Sequence, residues 1–279
     1  MDFLATYKLL QQRFNQELSI ISIPELKLEI RSFDFKSYHN TLLPGNTEYH
    51  CNEHNLSFTS QPQPFSKTDN EALDNLLNQN DVNVKENIDF RYSIFLPKYS
   101  PKEKKKQKLP EDAILLLHGL NEKDWSKYLP WAAALVKQTG KAVILFPIAF
   151  HMNRAPKGWV EAKLMSKVGK TRKKTYPFLT NSSFANTAIS ARLHIMPERF
   201  LWSGLQSFFD IVQLVRSFKE GTHPILSRKC KLDIFSYSIG TFLAEILMMT
   251  NPYNYLSKTR LFSFCGGPTL NRMSGRKTA

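Results

Sequence analysis

Near the carboxyl end of the chain, an apolar stretch is followed by a serine that has a small residue two positions away on each side. The stretch Cys230–Phe235 is typical of a buried strand, and Ser236-Tyr-Ser-Ile-Gly240 leads from it into an amphipathic segment. A strand-to-helix turn this tight needs small residues on both sides of its central serine. The turn would direct the Ser238 hydroxyl outward at a helix amino terminus, where backbone N–H groups stabilise negative charge. The pattern predicts a nucleophilic Ser238, with the N–H of Ile239 facing an oxyanion. An ordinary turn with a capping serine is the alternative.

A second polar step closes an earlier apolar run. Ala113–Leu117 is followed by His118-Gly-Leu-Asn121, about 120 residues before Ser238. With this pair of motifs, about residues 84–268 resemble the α/β-hydrolase superfamily of serine esterases and lipases. The resemblance implies that the backbone N–H of Leu120 is a second oxyanion donor. It also implies that the insertion 151–197 lies where some relatives carry a lid.

The acid and the base of such an enzyme are missing from their usual place. In that superfamily they follow the serine along the chain, but the 41 residues after Ser238 contain one acid, Glu245, and no histidine. A serine without a base is a weak nucleophile. Three explanations stay open: a truncated or frame-shifted hydrolase, an upstream histidine acting as base, or a non-catalytic relative.

The seven histidines all precede Ser238, and His151 is the candidate for a base. It follows the strand Ala142–Phe146, so it should lie at the same sheet edge as Ser238. The alternative is a loop histidine that donates to a backbone carbonyl. His194 is a second candidate, and we expect His118 to shape the oxyanion turn. Neither metal-ligand spacing nor a phosphate-binding or dinucleotide motif is found, so we expect no metal and no cofactor.

The order of the predicted elements sets the fold class. From residue 111 onward, strands alternate with helices, which is typical of a mostly parallel sheet flanked by helices. We therefore predict a C-terminally incomplete α/β-hydrolase-like domain over 84–279, with an N-terminal extension of helix and short strands over 1–80. An amphipathic helix over 1–18 and a short helix over 71–78 belong to that extension. The sheet should end at Leu261–Cys265 with an exposed apolar edge, which favours self-association.

The net charge of +14 is concentrated in three windows. Residues 98–108, 157–174 and 271–279 carry +5, +6 and +3, and the remainder is neutral. Basic side chains near Trp159 and Tyr176 could bind phosphates, but no nucleic-acid-binding motif accompanies them, so the sequence argues against that function. No apolar run reaches the ~20 residues of a membrane span. Three dispersed cysteines and no signal peptide favour a cytoplasmic location.

These observations lead to one expectation about function. The chain should act on a small ester or other acyl substrate through Ser238, with impaired turnover. A non-catalytic hydrolase-fold binding protein, or a remnant of a hydrolase, is the alternative.

Overall fold

The computed structural model describes residues 2–39, 48–51, 56–59, 80–98, 109–175, 177–178, 187–195 and 198–267. The described part contains seven α-helices and nine strands. The helices are α1 Phe3–Arg13, α2 Lys85–Ile88, α3 Leu129–Thr139, α4 Ala162–Thr175, α5 Thr187–Ile195, α6 Arg199–Lys219 and α7 Ile239–Thr250. The strands are β1 Ile20–Ile23, β2 Leu28–Lys36, β3 Glu48–Cys51, β4 Leu56–Thr59, β5 Asp89–Pro97, β6 Asp112–Leu117, β7 Ala142–Leu145, β8 Lys231–Tyr237 and β9 Leu261–Phe264.

Seven strands form one mixed sheet in the order β1-β2-β5-β7-β6-β8-β9. Three neighbouring pairs are antiparallel, from β1 through β2 and β5 to β7. The other three pairs, β7–β6, β6–β8 and β8–β9, are parallel. The expectation of a mostly parallel sheet was therefore wrong. Strands β1, β2 and β5 join this sheet in antiparallel pairs, and β2 and β5 pair along all nine of their residues. Strands β3 and β4 form a separate two-stranded antiparallel sheet.

The central strands are apolar because both of their faces are covered. Successive residues of β6 point to opposite faces, yet Ala113–Leu117 are all buried. One face packs against α6 and α7, with Leu115, Ile211 and Leu243 in a common cluster. The other face packs against α1 and α3, with Leu10 and Leu116 in a second cluster. The sheet is thus the middle layer of an α/β structure.

The helix ends follow local chemistry. Asp2 caps α1, because its Oδ1 accepts the N–H of Ala5 at 2.7 Å. This helix ends at Arg13, so the predicted helix over 1–18 is shorter than expected. Helix α3 ends at Gly140, which adopts the left-handed conformation with φ 68°. The helix predicted over 71–78 lies outside the described residues.

The insertion 151–197 contributes α4 and α5. Their apolar side chains form a third cluster, in which the ring of Trp159 stacks on Phe150 with 5.9 Å between ring centroids. This cluster contains Met165 and Ala191 from the insertion and Val84 and Phe150 from outside it, so the insertion packs onto the segments before α2 and after β7. The same region supplies part of the cavity described below.

A buried polar network joins distant parts of the chain. The Arg154 guanidinium donates to the Asp210 carboxylate at 2.7 Å, and both side chains are fully buried. Asp210 also accepts the hydroxyl of Ser37 at 2.7 Å. Arg154 donates to the side chain and the backbone carbonyl of Asn87, both at 3.1 Å. Because each charge has several partners, the network meets the condition under which a buried ion pair is tolerated.

Candidate functional site

Ser238 occupies a sharp corner between β8 and α7. Its backbone has φ 53° and ψ −121°, a combination that L-amino acids rarely adopt. The Thr241 N–H closes the turn by donating to the Ser238 carbonyl at 2.9 Å. Strained backbone persists only where the surrounding structure holds it in place, and it is concentrated at functional sites.

Small residues on both sides make this corner possible. A Cβ on Gly240 would lie 2.7 Å from the His118 carbonyl oxygen, so the first turn of α7 presses directly on the end of β6. Ser236 is fully buried, and its hydroxyl lies 3.1 Å from the Thr241 hydroxyl. A glycine is therefore required at 240, while a serine fits at 236.

Ser238 is half-buried, and none of the described residues forms a hydrogen bond with its hydroxyl. Its backbone N–H donates to the Phe264 carbonyl at 3.1 Å, which anchors the corner to β9. The hydroxyl is thus positioned by its backbone rather than by a side-chain partner.

Two backbone N–H groups near the corner have no acceptor within the described structure. They belong to Ile239, the first residue of α7, and to Leu120, in the loop after β6. The loop is held next to them by Gly119, whose N–H donates to the Tyr128 hydroxyl at 2.8 Å. That hydroxyl donates to Glu122 at 2.9 Å. Unpaired donors of this kind could stabilise an oxyanion.

His118 has a structural role in this loop. It is fully buried, and its Nε2 accepts the N–H of Ile148 at 2.9 Å. Its Nδ1 then carries the proton and donates to the Gly119 carbonyl at 2.8 Å. The ring therefore joins the loop after β6 to the segment after β7. Burial lowers the pKa of His118 well below its usual value, so the ring is neutral.

His151 differs from His118 because one of its ring nitrogens has no partner. Its Nδ1 lies 2.8 Å from the Ala149 carbonyl, so Nδ1 carries the proton and donates it. Its Nε2 is buried and accepts from no described residue. Burial lowers the pKa of His151 to about 4, against the opposing effect of the Ala149 hydrogen bond. The ring is therefore neutral at pH 7, with its Nε2 lone pair available.

A cavity of about 350 Å³ lies beside these groups. Leu120, His151 and Ile239 all form part of its wall. The remaining wall is largely apolar and comes from the segment after β7, the insertion, α6 and α7. It includes Ile148, Phe150, Trp159, Ile189, Leu193, Phe200, Leu201, Gly204, Leu205, Phe208, Phe242, Leu243 and Ile246. The volume is at the lower end of the range for small-molecule sites.

The charged residues in the cavity wall are paired with one another. Asp81 forms ion pairs with Arg192 and with Arg199, the latter at 2.8 Å. Arg199 also donates to the Arg192 carbonyl at 3.1 Å. All three side chains are buried. The trio therefore fastens α5 and α6 to the segment before α2.

Two further residues considered in the sequence analysis are Glu245 and His194. Glu245 is exposed on α7, and the partner of His151 Nδ1 is a backbone carbonyl rather than an acid. His194 lies in α5, and its side chain is outside the described residues. Among the described residues, no three His, Cys, Asp or Glu side chains form a group that could hold a metal ion.

Sequence reasoning missed the cavity and the anchoring of the loop. The cavity wall combines segments that are far apart in the sequence, from Asp81 and Leu120 to α7, so no local motif indicated it. The hydrogen bonds that join Gly119, Tyr128 and Glu122 span only nine residues. No sequence pattern indicated that the Tyr128 hydroxyl accepts the Gly119 N–H, because that contact depends on how the loop folds.

Together, the fold and the site define a mixed α/β protein with a strained serine corner beside an apolar cavity. Residues 1–277 match a family described as a family of unknown function, DUF6051, and the chain belongs to this family. No curated protein and no solved structure matches the chain. The finding overturns the resemblance to the α/β-hydrolase superfamily: the matching family is of unknown function, and the sheet is mixed.

No helix in the described ranges combines the length and the apolar character that a bilayer span requires.

Proposed function

We propose that this protein cleaves an ester or another acyl compound through Ser238. The observation that carries the proposal is the strained backbone of Ser238 at the start of α7. That conformation costs free energy, which a chemical role for the hydroxyl would explain, and the next residue, Ile239, lines the cavity. A serine that only capped a helix would not need a positive φ.

The proposed reaction uses groups that the chain itself supplies. The Ser238 Oγ attacks the acyl carbonyl carbon, and its proton passes to the Nε2 of His151. The N–H groups of Ile239 and Leu120 donate to the oxyanion, worth about 2.7–4 kcal/mol per donor in the transition state. When the intermediate collapses, the alcohol leaves with the proton from His151. Water then releases the acid by the same route in reverse.

Two features support a slow reaction. A base with a pKa of about 4 accepts a proton less readily at pH 7 than one with a pKa near neutrality. The Ala149 carbonyl orients the ring but lacks the charge with which a carboxylate would stabilise the imidazolium. We expect turnover that is measurable and low.

A fluorophosphonate probe tests the nucleophile. We expect a covalent adduct on Ser238, detected by intact mass and peptide mapping. The adduct should be absent in Ser238→Ala and slower to form in His151→Gln. Ser203→Ala is the matched control, because Ser203 is a serine of the cavity wall that has no role in the proposed reaction. An unlabelled folded protein, or equal labelling of Ser238→Ala, would remove the proposal.

The cavity also supports a second candidate, a non-catalytic binding protein. It predicts ligand binding with no cleavage of p-nitrophenyl butyrate, even at high protein concentration. Ester cleavage that disappears in both Ser238→Ala and His151→Gln rules this candidate out.

Self-association through β9 is a further part of the proposal. This strand is the outermost of the described sheet, and Phe262 and Phe264 on it are 58% and 42% exposed. An apolar edge of this kind favours pairing between chains. The cytoplasmic location stays a prediction that rests on the three dispersed cysteines.

A further inference from the structure

A glycine in the middle of α6 faces empty space. Gly204 lies six residues into this helix, where glycine costs about 1 kcal/mol relative to alanine. A glycine at such a position is usually explained by close packing against a neighbour. Here a Cβ would meet no atom within 4 Å, so packing does not explain it.

The space in front of Gly204 is the cavity, because this residue forms part of the cavity wall. Two aromatic rings give the cavity flat apolar surfaces. The ring of Phe200, on the same helix as Gly204, stacks on the ring of Phe242 on α7, with 6.2 Å between centroids. Phe200 is 44% exposed and Leu120 is 50% exposed, which leaves apolar side chains open to an arriving ligand.

The charges of the wall do not select an ionic ligand. Asp81 is bonded to Arg192 and Arg199, and the three side chains are buried. Bringing a further charge into this apolar space would cost desolvation that the paired groups do not offset. A neutral apolar chain fits the wall best.

Resting on the proposed function, we infer that the cavity holds the apolar acyl chain of a neutral ester and that Gly204 leaves space for that chain. Gly204 is then a residue that sets chain-length specificity. The ester group is directed toward the Nε2 of His151, a buried nitrogen of the wall that has no partner among the described residues.

The inference predicts a preference for longer acyl chains. Each methylene that the cavity covers should raise kcat/KM about fourfold. If three or four methylenes are covered, p-nitrophenyl octanoate should exceed p-nitrophenyl acetate by about a hundredfold. Gly204→Phe places a ring in the cavity, so the ratio of the two rates should fall toward one. Ala134→Phe, at an exposed position of α3, adds the same ring away from the cavity and should keep the ratio.

Binding gives a readout that does not depend on chemistry. Calorimetric titration of Ser238→Ala with 1-octanol should show binding that the added Gly204→Phe abolishes, with folding checked by circular dichroism. Octanol binding and its loss in Gly204→Phe, without any ester cleavage, would support the cavity inference and end the proposed function. Equal cleavage of acetate and octanoate without octanol binding would overturn the inference and keep the proposed function. Loss of both signals in the wild type would overturn both.

Discussion

At the scale of single residues, the backbone of Ser238 is the most informative feature. Positive φ at a non-glycine residue costs about 1–3 kcal/mol, and glycine removes that cost while losing about 0.5–1 kcal/mol through its greater chain entropy. We predict that Ser238→Gly raises the free energy of unfolding by about 1 kcal/mol over Ser238→Ala. Urea denaturation of both variants measures the difference. A less stable glycine variant would contradict the presence of strain.

The pKa of His151 sets the pH dependence of the proposed chemistry. The ring is neutral above its pKa of about 4, so the base is available down to that pH and is lost below it. We predict that kcat/KM for p-nitrophenyl butyrate is level from pH 8 to about pH 5 and then falls. Circular dichroism at each pH separates this loss from unfolding. A midpoint near 6.5 would show that His151 is not buried as described, or is not the base.

The sequence located Ser238 and its flanking small residues because the corner is local, and local sterics dictate the residue types. It also predicted that His151 follows the strand Ala142–Phe146, and the observed strand ends at Leu145. It could not show that the Ala149 carbonyl binds Nδ1 and leaves Nε2 unpaired. That arrangement depends on how the segment after β7 folds back, which is a tertiary property.

At the scale of elements, two glycines in helices α6 and α7 have opposite surroundings. A Cβ at Gly240 would meet the His118 carbonyl at 2.7 Å, whereas one at Gly204 would meet nothing within 4 Å. We predict that Gly240→Ala destabilises the fold by about 1–3 kcal/mol through overpacking against backbone. Gly204→Ala should stabilise it by up to about 1 kcal/mol. Thermal unfolding of the two variants checks the signs, and equal effects would contradict the described packing.

The edge strand β9 makes a separate prediction. Phe262 is 58% exposed on a strand that pairs with β8 alone in the described sheet. We predict concentration-dependent association in light scattering, which Phe262→Lys reduces because charge discourages edge pairing. A wild type that stays monomeric at high concentration would contradict this prediction.

The sequence predicted element types better than strand directions. The apolar run Ala113–Leu117 was identifiable as a strand because hydrophobic patterning is a local signal. The antiparallel pairing of β5 with β7 could not be predicted, because the residues of a strand do not indicate the direction of its neighbour. The division into 1–80 and 84–279 stays a prediction.

At the scale of the whole molecule, buried neutral histidines link stability to pH. Burial lowers the pKa of His151 and His223 to about 4, while the unfolded chain protonates near 6.5. Between these values the unfolded state binds more protons than the folded state. The contribution of these histidines to the free energy of unfolding is therefore complete above pH 6.5 and is lost as the pH falls toward 4.

We predict that the free energy of unfolding decreases between pH 6.5 and pH 5 by about 1.4 kcal/mol per pH unit for each of these histidines. Urea denaturation at a series of pH values measures the slope. His223→Asn should reduce it, although this variant also loses the hydrogen bond to the Tyr92 hydroxyl at 2.8 Å. Stability that does not change over this interval would show that the histidines are accessible to protons in the folded state.

The network around Arg154 affects how the protein can be divided for experiments. Ser37 at the end of β2 completes the partners of Asp210, and β2 covers the whole length of β5. Removing the chain through Ser37 would leave the nine residues of β5 without their partners on β2. It would also leave the buried Asp210 carboxylate with one fewer hydrogen-bond donor. The amino-terminal residues therefore belong in any expressed fragment that is meant to retain the cavity.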